Sequence, residues 1–487
     1  MIFVLAFRHL AVRKVRTLFL LAGFAVGVAT MIVLLSVGEA MLVQSRDVSL
    51  VGGGEVTVLP EGVDLEALRT GALTGMFFGV DRARFVGRVM LGGPRHADLV
   101  EGIVPGIEGK LLYLGHGQRT VAVRAGGEIP SRARAAGSAL ELVAGRWDDS
   151  GADSAWIAPT PQQLYDGMDR FHLPPGSDST WGEWHYFNLV TGPEEWWYIT
   201  YLVAGDIRGG RWGGQLLVTH RLPGGGYERF ATLADSTMVR FDTTGTDLAV
   251  GESTVSQRSG LYFLDGVAEG DRGILRFQLT VRPERFRYFP PVELQSDEFL
   301  SGYVAPGLRA SASGTLCVNG DCAETREAPA YHDHNWGVWR SVTWEWGNGR
   351  GGSFDLLYGG VVRGPAADPP TGNPYFLALV DSLGMRQILR FGEIGYQGAA
   401  PVPGAPGVVG PERFTLTARR KDDWVRLDVL VRSVQATRAG TSGLDRFFLQ
   451  MRGDFTLAGT VGGVSVADTG SGFFETYSRD PASVSPP

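Results

Sequence analysis

The sequence predicts a mainly β protein: antiparallel barrels or sandwiches behind one N-terminal membrane helix. Three observations carry that prediction. Glycine (69) and tryptophan (12) are abundant in 487 residues, and chains rich in glycine and aromatics favour short strands and tight turns over long helices. From Trp156 onward apolar and polar residues alternate. Leu275, Phe277, Leu279 and Val281 interleave with Arg276, Gln278, Thr280 and Arg282, the period of two of a half-buried strand. Finally, Thr17–Gly38 reads TLFLLAGFAVGVATMIVLLSVG without a charge, long enough to cross roughly 30 Å of hydrocarbon.

Taken in order, residues 1–16 form a basic cytoplasmic N-terminus. Arg8, Arg13, Lys14 and Arg16 precede the apolar run, so the positive-inside bias places the transmembrane helix, 17–38, with everything after Gly38 outside the cytoplasm. A cleaved signal peptide is the rival reading. The run is long for one, and no small-residue cleavage site follows clearly. Residues 39–150 make a small α+β extracytoplasmic segment, with VTVLP, ADLVEGIVPGI and RTVAVRAG as short strands. ALELVAGRWDDSGADS, polar and Gly-rich, serves as its boundary. Beyond it lie two β domains, 151–325 and 326–487, with RLDVLVRSV and FTLAGTVGG as further strands. The motif W-G-x-W occurs at Trp181 and again at Trp336, about one barrel apart, which suggests a duplicated β domain.

Composition excludes some functions. The net charge of −7 and a pI near 5.7 argue against a nucleic-acid surface, which needs a basic face. No G-x-x-x-x-G-K-[ST] loop is present, so the chain is not itself an ATPase. The only cysteines stand in LCVNGDC. Asn319-Gly320 is a strong two-residue hairpin signal, which puts Cys317 and Cys322 directly opposite each other at disulfide distance. An extracytoplasmic body agrees with an oxidised pair.

The densest chemistry is YHDHNWGVW, Tyr331–Trp339. In an extended strand Tyr331, Asp333 and Asn335 point one way, and His332, His334 and Trp336 the other. A zinc reading has His332 and His334 on one face but lacks a third ligand, since His185 and His220 are distant in sequence. No metal and no cofactor are therefore expected. An acid/base reading uses Tyr331 and Asp333, because burial raises a carboxyl pKa and keeps the acid protonated. Aromatic faces at Trp184, Tyr186, Trp197, Trp336 and Trp344 would then bind an apolar substrate and stabilise a carbocation. The structural alternative is a hydrogen-bonded plug at a barrel end. In EWHYFNLVTGPEEWWYITYLV, two strands turn about Thr191-Gly192-Pro193, and their aromatics line a large pocket or fill a core. Glu475, in SGFFETY, reads as an exposed residue of a last strand.

Two resemblances add to this. The front end, FRHLAVRKVRT with LSVGEA and AGRW, is similar to the start of a macrolide-exporter-type ABC permease over about the first 150 residues. The later membrane helices of that family are missing, and an ABC export system is at most a partner. EWHYFNL, EEWWYITY, AYHDHNWG and SGFFETY, in that order across roughly Trp156–Asp480, resemble the hydroxyneurosporene synthase (carotenoid hydratase) and AttH-like family. That resemblance implies tandem lipocalin-like (calycin-type) barrels. It also implies Tyr331 and Asp333 as acid/base groups acting on an apolar polyene or terpenoid by hydration, isomerisation or cyclisation. A noncatalytic carrier of a hydrophobic ligand or lipid at the membrane is the competing expectation. The His-x-Trp pair of the hydratases has no counterpart here, where GYVAPGLRAS stands instead.

Overall fold

Alternating strands close into two antiparallel barrels, as the period of two requires of strands with one face toward a core. The computed structural model describes residues 14–46, 79–100, 102–103, 105–117, 119–131, 148–151, 168–295, 299–339, 342–363, 374–439 and 446–479, with 56, 58, 153 and 156. The chain divides into two units, 1–78 with 104–153, and 79–103 with 154–487.

The first unit holds helix α1 (Lys14–Arg46) and a hairpin of β1 (Gly106–His116) and β2 (Arg119–Glu128). Among the described residues α1 is the one helix long and apolar enough to cross a membrane. Its Lys14–Val37 stretch has a mean hydropathy of 2.6, with none of the window buried. RTVAVRAG is a strand as expected. ADLVEGIVPGI is not: it forms a 3₁₀ turn at Ala97–Leu99, and β1 begins only after Pro105, which has no N–H for a ladder. VTVLP and AGRW fall almost wholly outside the described residues.

The second unit begins with α2 (Val80–Gly92), inside the span expected for the extracytoplasmic segment. Phe85 meets Phe289 at 5.3 Å, and the Tyr288 hydroxyl donates to the Arg88 carbonyl at 3.0 Å, so α2 packs with the barrels.

The first barrel uses β3 (Trp181–Gly192), β4 (Glu195–Asp206), β5 (Arg211–Arg221) and β6 (Tyr227–Asp235), the side strands β7 (Val239–Phe241), β8 (Asp247–Val250) and β9 (Ser253–Arg258), then β10 (Leu261–Gly270), β11 (Gly273–Pro283), β12 (Phe289–Gln295), β13 (Phe299–Val318) and β14 (Asp321–Trp339). Eight of them close in the order β3-β4-β5-β6-β10-β11-β13-β14, with β14 returning to β3. The second barrel uses β15 (Val342–Gly351), β16 (Asp355–Arg363), β17 (Tyr375–Asp381), β18 (Gly384–Phe391), three short strands, β19 (Gly395–Gln397), β20 (Ala400–Pro401) and β21 (Val409–Gly410), then β22 (Arg413–Arg420), β23 (Asp423–Ala439), β24 (Arg446–Val461) and β25 (Val464–Arg479). It closes as β15-β16-β17-β18-β22-β23-β24-β25, and β25 returns to β15.

Two expectations about domain organisation need correction. β14 belongs whole to the first barrel, so the boundary lies after Trp339 rather than at 325/326. The W-G-x-W echo does not mark equivalent places in two domains. Its copies are neighbours in one sheet, with Gly337 opposite Gly182 and Val338 opposite Trp181. The likeness between the barrels is topological: in each, the opening strand pairs with the closing one.

Each barrel is filled by its inward side chains. Phe187, Ile199, Tyr201, Leu216, Leu279 and Ala312 lie in the first core, and Tyr358, Leu377, Phe414, Leu427, Met451 and Phe474 in the second. A third cluster joins outward residues of both, with Tyr186, Tyr303 and Tyr331 from one barrel against Trp346, Phe376 and Phe473 from the other. Beside it Asp355, fully buried, accepts from Arg287 Nη1 at 2.7 Å and from Arg309 Nε and Nη2 at 2.9 and 2.7 Å. This ion cluster ties the first barrel to β16 of the second. The expected disulfide is present: Cys317 bonds Cys322, with Cα atoms 4.0 Å apart, across a turn in which Asn319 and Gly320 both take positive φ (53° and 91°), as a type I′ turn demands.

Candidate functional site

β14 is a central strand, paired with β13 on one edge and β3 on the other, and Tyr331, His332, Asp333, His334 and Trp336 on its two faces are all buried. The alternation read from sequence holds. Tyr331, Asp333 and Asn335 face the junction between the barrels, and His332, His334 and Trp336 face the opposite way.

Asp333 is 2% exposed. Its Oδ2 accepts from the Tyr331 hydroxyl at 2.6 Å and Trp346 Nε1 at 3.1 Å, and its Oδ1 from Asn335 Nδ2 at 2.7 Å. Three donors favour the carboxylate and burial favours the acid. Burial wins, aided by the nearby Glu475 charge and opposed most by the Tyr331 bond, and pushes the carboxyl up to about 8. Burial raises the Tyr331 hydroxyl as well, with Asp333 adding to it. Around the pair stand aromatic rings. Tyr303 meets Trp346 edge-on at 5.1 Å and stacks on Phe376 at 5.6 Å, and Tyr186 lies edge-on to Tyr331 at 6.4 Å.

The expected substrate residues divide. Tyr186 and Trp184 belong to the junction cluster with Asp333. Trp344 packs against it too, and its Nε1 donates to Glu475 at 3.3 Å. Trp197 does not join them: it points into the first barrel and stacks on His220 at 3.5 Å. Its neighbours Trp196 and Tyr198 take the junction side. Trp336 also lies elsewhere, on the histidine face, stacked on His172 at 3.8 Å. For Trp197 the cause is that aromatic type does not reveal facing, and only the strand register does; Trp336 lies on the face to which the alternation of β14 assigns it.

Sequence reasoning missed four residues, Trp346, Tyr303, Phe376 and Glu475. Glu475 is partly buried, not exposed, and burial pushes it up to about 7 against hydrogen bonds from Trp344 and Gln450. The signal was legible in SGFFETY, where Phe473 and Glu475 share one face and Phe474 the other. A third raised carboxyl, Glu345, is pushed up to about 7 by burial while accepting from Tyr396 at 2.6 Å and Thr476 at 2.8 Å.

On the reverse face the expected lack of a third ligand is overturned. Pairing of β3 with β14 sets His185 directly opposite His334, and residues 168–172 bring Asp169 and His172 alongside. Two trios have ligand atoms within 4.8 Å of one another, Asp169/His185/His334 and His172/Glu183/His334. His332 is tied down separately: Nδ1 lies 3.0 Å from the Tyr186 carbonyl and Nε2 3.3 Å from Asp169. His220 stands apart, bonded to Glu195 at 2.9 Å.

The fold and site together define a tandem lipocalin-like double barrel with a buried carboxyl–phenol pair between the barrels. Several solved structures align with this chain. Kievitone hydratase from Nectria haematococca aligns over 63% of this chain and 92% of its own, at 17% identity and a TM-score of 0.44. A protein described as AttH from Nitrosomonas europaea covers 63% and 96%, at 14% identity and a TM-score of 0.44. CghA, solved with Sch210972, covers 64% and 95%, at 11% identity and a TM-score of 0.40. No family model and no curated protein matches the chain.

Proposed function

We propose that the protein is a membrane-anchored acid catalyst that protonates a carbon–carbon double bond of an apolar polyene or terpenoid. The setting of Asp333 carries this reading: a carboxyl walled by aromatic rings from both barrels and bonded to the Tyr331 hydroxyl at 2.6 Å. A neutral acid among ring faces suits a substrate that offers only π electrons.

In the step proposed, the O–H bond of Asp333 breaks and a C–H bond forms at one alkene carbon, leaving a cation on the other. The faces of Tyr186, Tyr303, Trp346 or Phe376 stabilise that cation, at about 0.5–2 kcal/mol for each well-placed ring. Water then adds and gives up a proton, or a neighbouring C–H is lost, or an internal double bond attacks before proton loss. These outcomes are hydration, isomerisation and cyclisation. In each the released proton returns to the Asp333 carboxylate, so the acid is regenerated. Tyr331 and Asn335 hold the carboxyl in place.

Asp333→Asn keeps the shape and removes the acid. General acid catalysis is worth about 10²–10⁴ in rate, so conversion should stop while ligand retention changes by no more than a few fold. Mass spectrometry of lipids co-purifying with the detergent-extracted chain and this variant reads both. A changed product supports catalysis. The same bound lipid in both proteins, without conversion, supports a carrier instead and overturns the acid role.

A further inference from the structure

The face of β14 away from Asp333 gathers more ligand chemistry than a polar plug needs. β14 supplies His334, β3 supplies Glu183 and His185, and residues 168–172 supply Asp169 and His172. Asp169, Glu183, His185 and His334 are each 1% exposed or less.

We propose that this cluster binds one divalent transition-metal ion of the zinc class, with His172, Glu183 and His334 as its main ligands and His185 or Asp169 completing the shell. Glu183 Oε1 already lies 3.0 Å from His172 Nδ1 and 2.9 Å from His334 Nε2. Ligand atoms bound at about 2.0–2.1 Å in a tetrahedron sit about 3.3 Å apart, so the trio need spread by only a few tenths of an ångström. Imidazole nitrogen with carboxylate oxygen is a donor set for zinc and its first-row neighbours, whereas calcium and magnesium prefer oxygen alone.

Two further observations point to a cation. His185 Nδ1 is buried with no hydrogen-bond partner among the described residues, a state that folding does not favour. The site also holds two buried carboxyl groups, Asp169 and Glu183, which can supply oxygen ligands to a dication. A second layer fixes the ring of His172: Trp336 stacks on it and itself donates to Glu293 at 3.2 Å. Such support is typical of metal sites. The ion would clip residues 168–172 and β3 to β14 directly behind Asp333, a positioning role that holds whether or not Asp333 is an acid catalyst.

The test uses the tag-free, full-length chain in detergent, loaded with Zn²⁺, desalted and analysed for metal. We expect one equivalent per chain, and Co²⁺ loading should give visible ligand-field absorption. His334→Ala and Glu183→Gln should each weaken Zn²⁺ at least ten-fold in competition with a chromophoric chelator, since loss of an outer-layer partner alone weakens a site about 10–100-fold. His220→Ala, on β5 and outside the cluster, should keep full stoichiometry. Folded native protein that retains no zinc overturns the proposal without reference to any variant. So does equal zinc in the native chain and the His334→Ala/Glu183→Gln double variant.

Discussion

Asp333 and His334 are adjacent in sequence yet take part in separate chemistry, because a central strand sends successive side chains to opposite faces. That much was legible from YHDHNWG alone. The partners were not. Trp346 comes from the other barrel, Glu183 and His185 reach His334 through strand pairing across long stretches of chain, and Asp169 comes from the segment before β3. At this scale Glu345 offers a clean pH test. Its folded pKa of about 7 stands above the ordinary glutamate value near 4.5, so the unfolded chain ionises first as pH rises. The stability tied to its neutral form is fully present below about pH 4.5 and lost as pH rises through about 7. Gln does not titrate. Glu345→Gln should therefore gain on the native chain between pH 4.5 and 7 and hold a constant advantage above that. After allowance for partial exposure the gain is on the order of 1–2 kcal/mol. Denaturant midpoints at pH 4.5 and 8 check this, and an advantage that shrinks with rising pH contradicts the assignment.

Among the elements, strand existence was readable wherever apolar residues alternate, as in β11, and the Asn-Gly turn located its disulfide. Register and barrel membership were not readable. The two W-G-x-W copies look like a domain repeat and prove to be paired neighbours, since tryptophan and glycine report local packing rather than ancestry. The link between barrels left no mark in the sequence, because Arg287, Arg309 and Asp355 are ordinary surface residue types until the two barrels bury them. Burial raises Asp355 despite two guanidinium partners, so the cluster is held at some expense of desolvation. Removing one partner strands the others. Asp355→Ala should lower unfolding stability by about 3–5 kcal/mol, seen as a fall in the denaturant midpoint. An unchanged midpoint would mean that the aromatic cluster alone joins the barrels.

At the scale of the whole molecule, α1 is apolar and exposed, and if it spans a membrane its basic flank predicts a cytoplasmic N-terminus with both barrels outside. Protease added to intact spheroplasts should digest the barrels, and full protection would contradict that topology. The barrels impose a different constraint through their closure. β3 opens the first barrel and β14 closes it, and β15 waits in the same way for β25. Each barrel must therefore bring together ends separated by nearly its whole length, so the loop-closure entropy falls due before the last ladder can form. A chain emerging N-terminus first carries β3 as an open edge until Trp339 has appeared, and β15 as another until β25 has appeared. Each opening strand thus keeps one unpaired edge until its closing partner arrives, and the aggregation hazard is greatest while that edge waits.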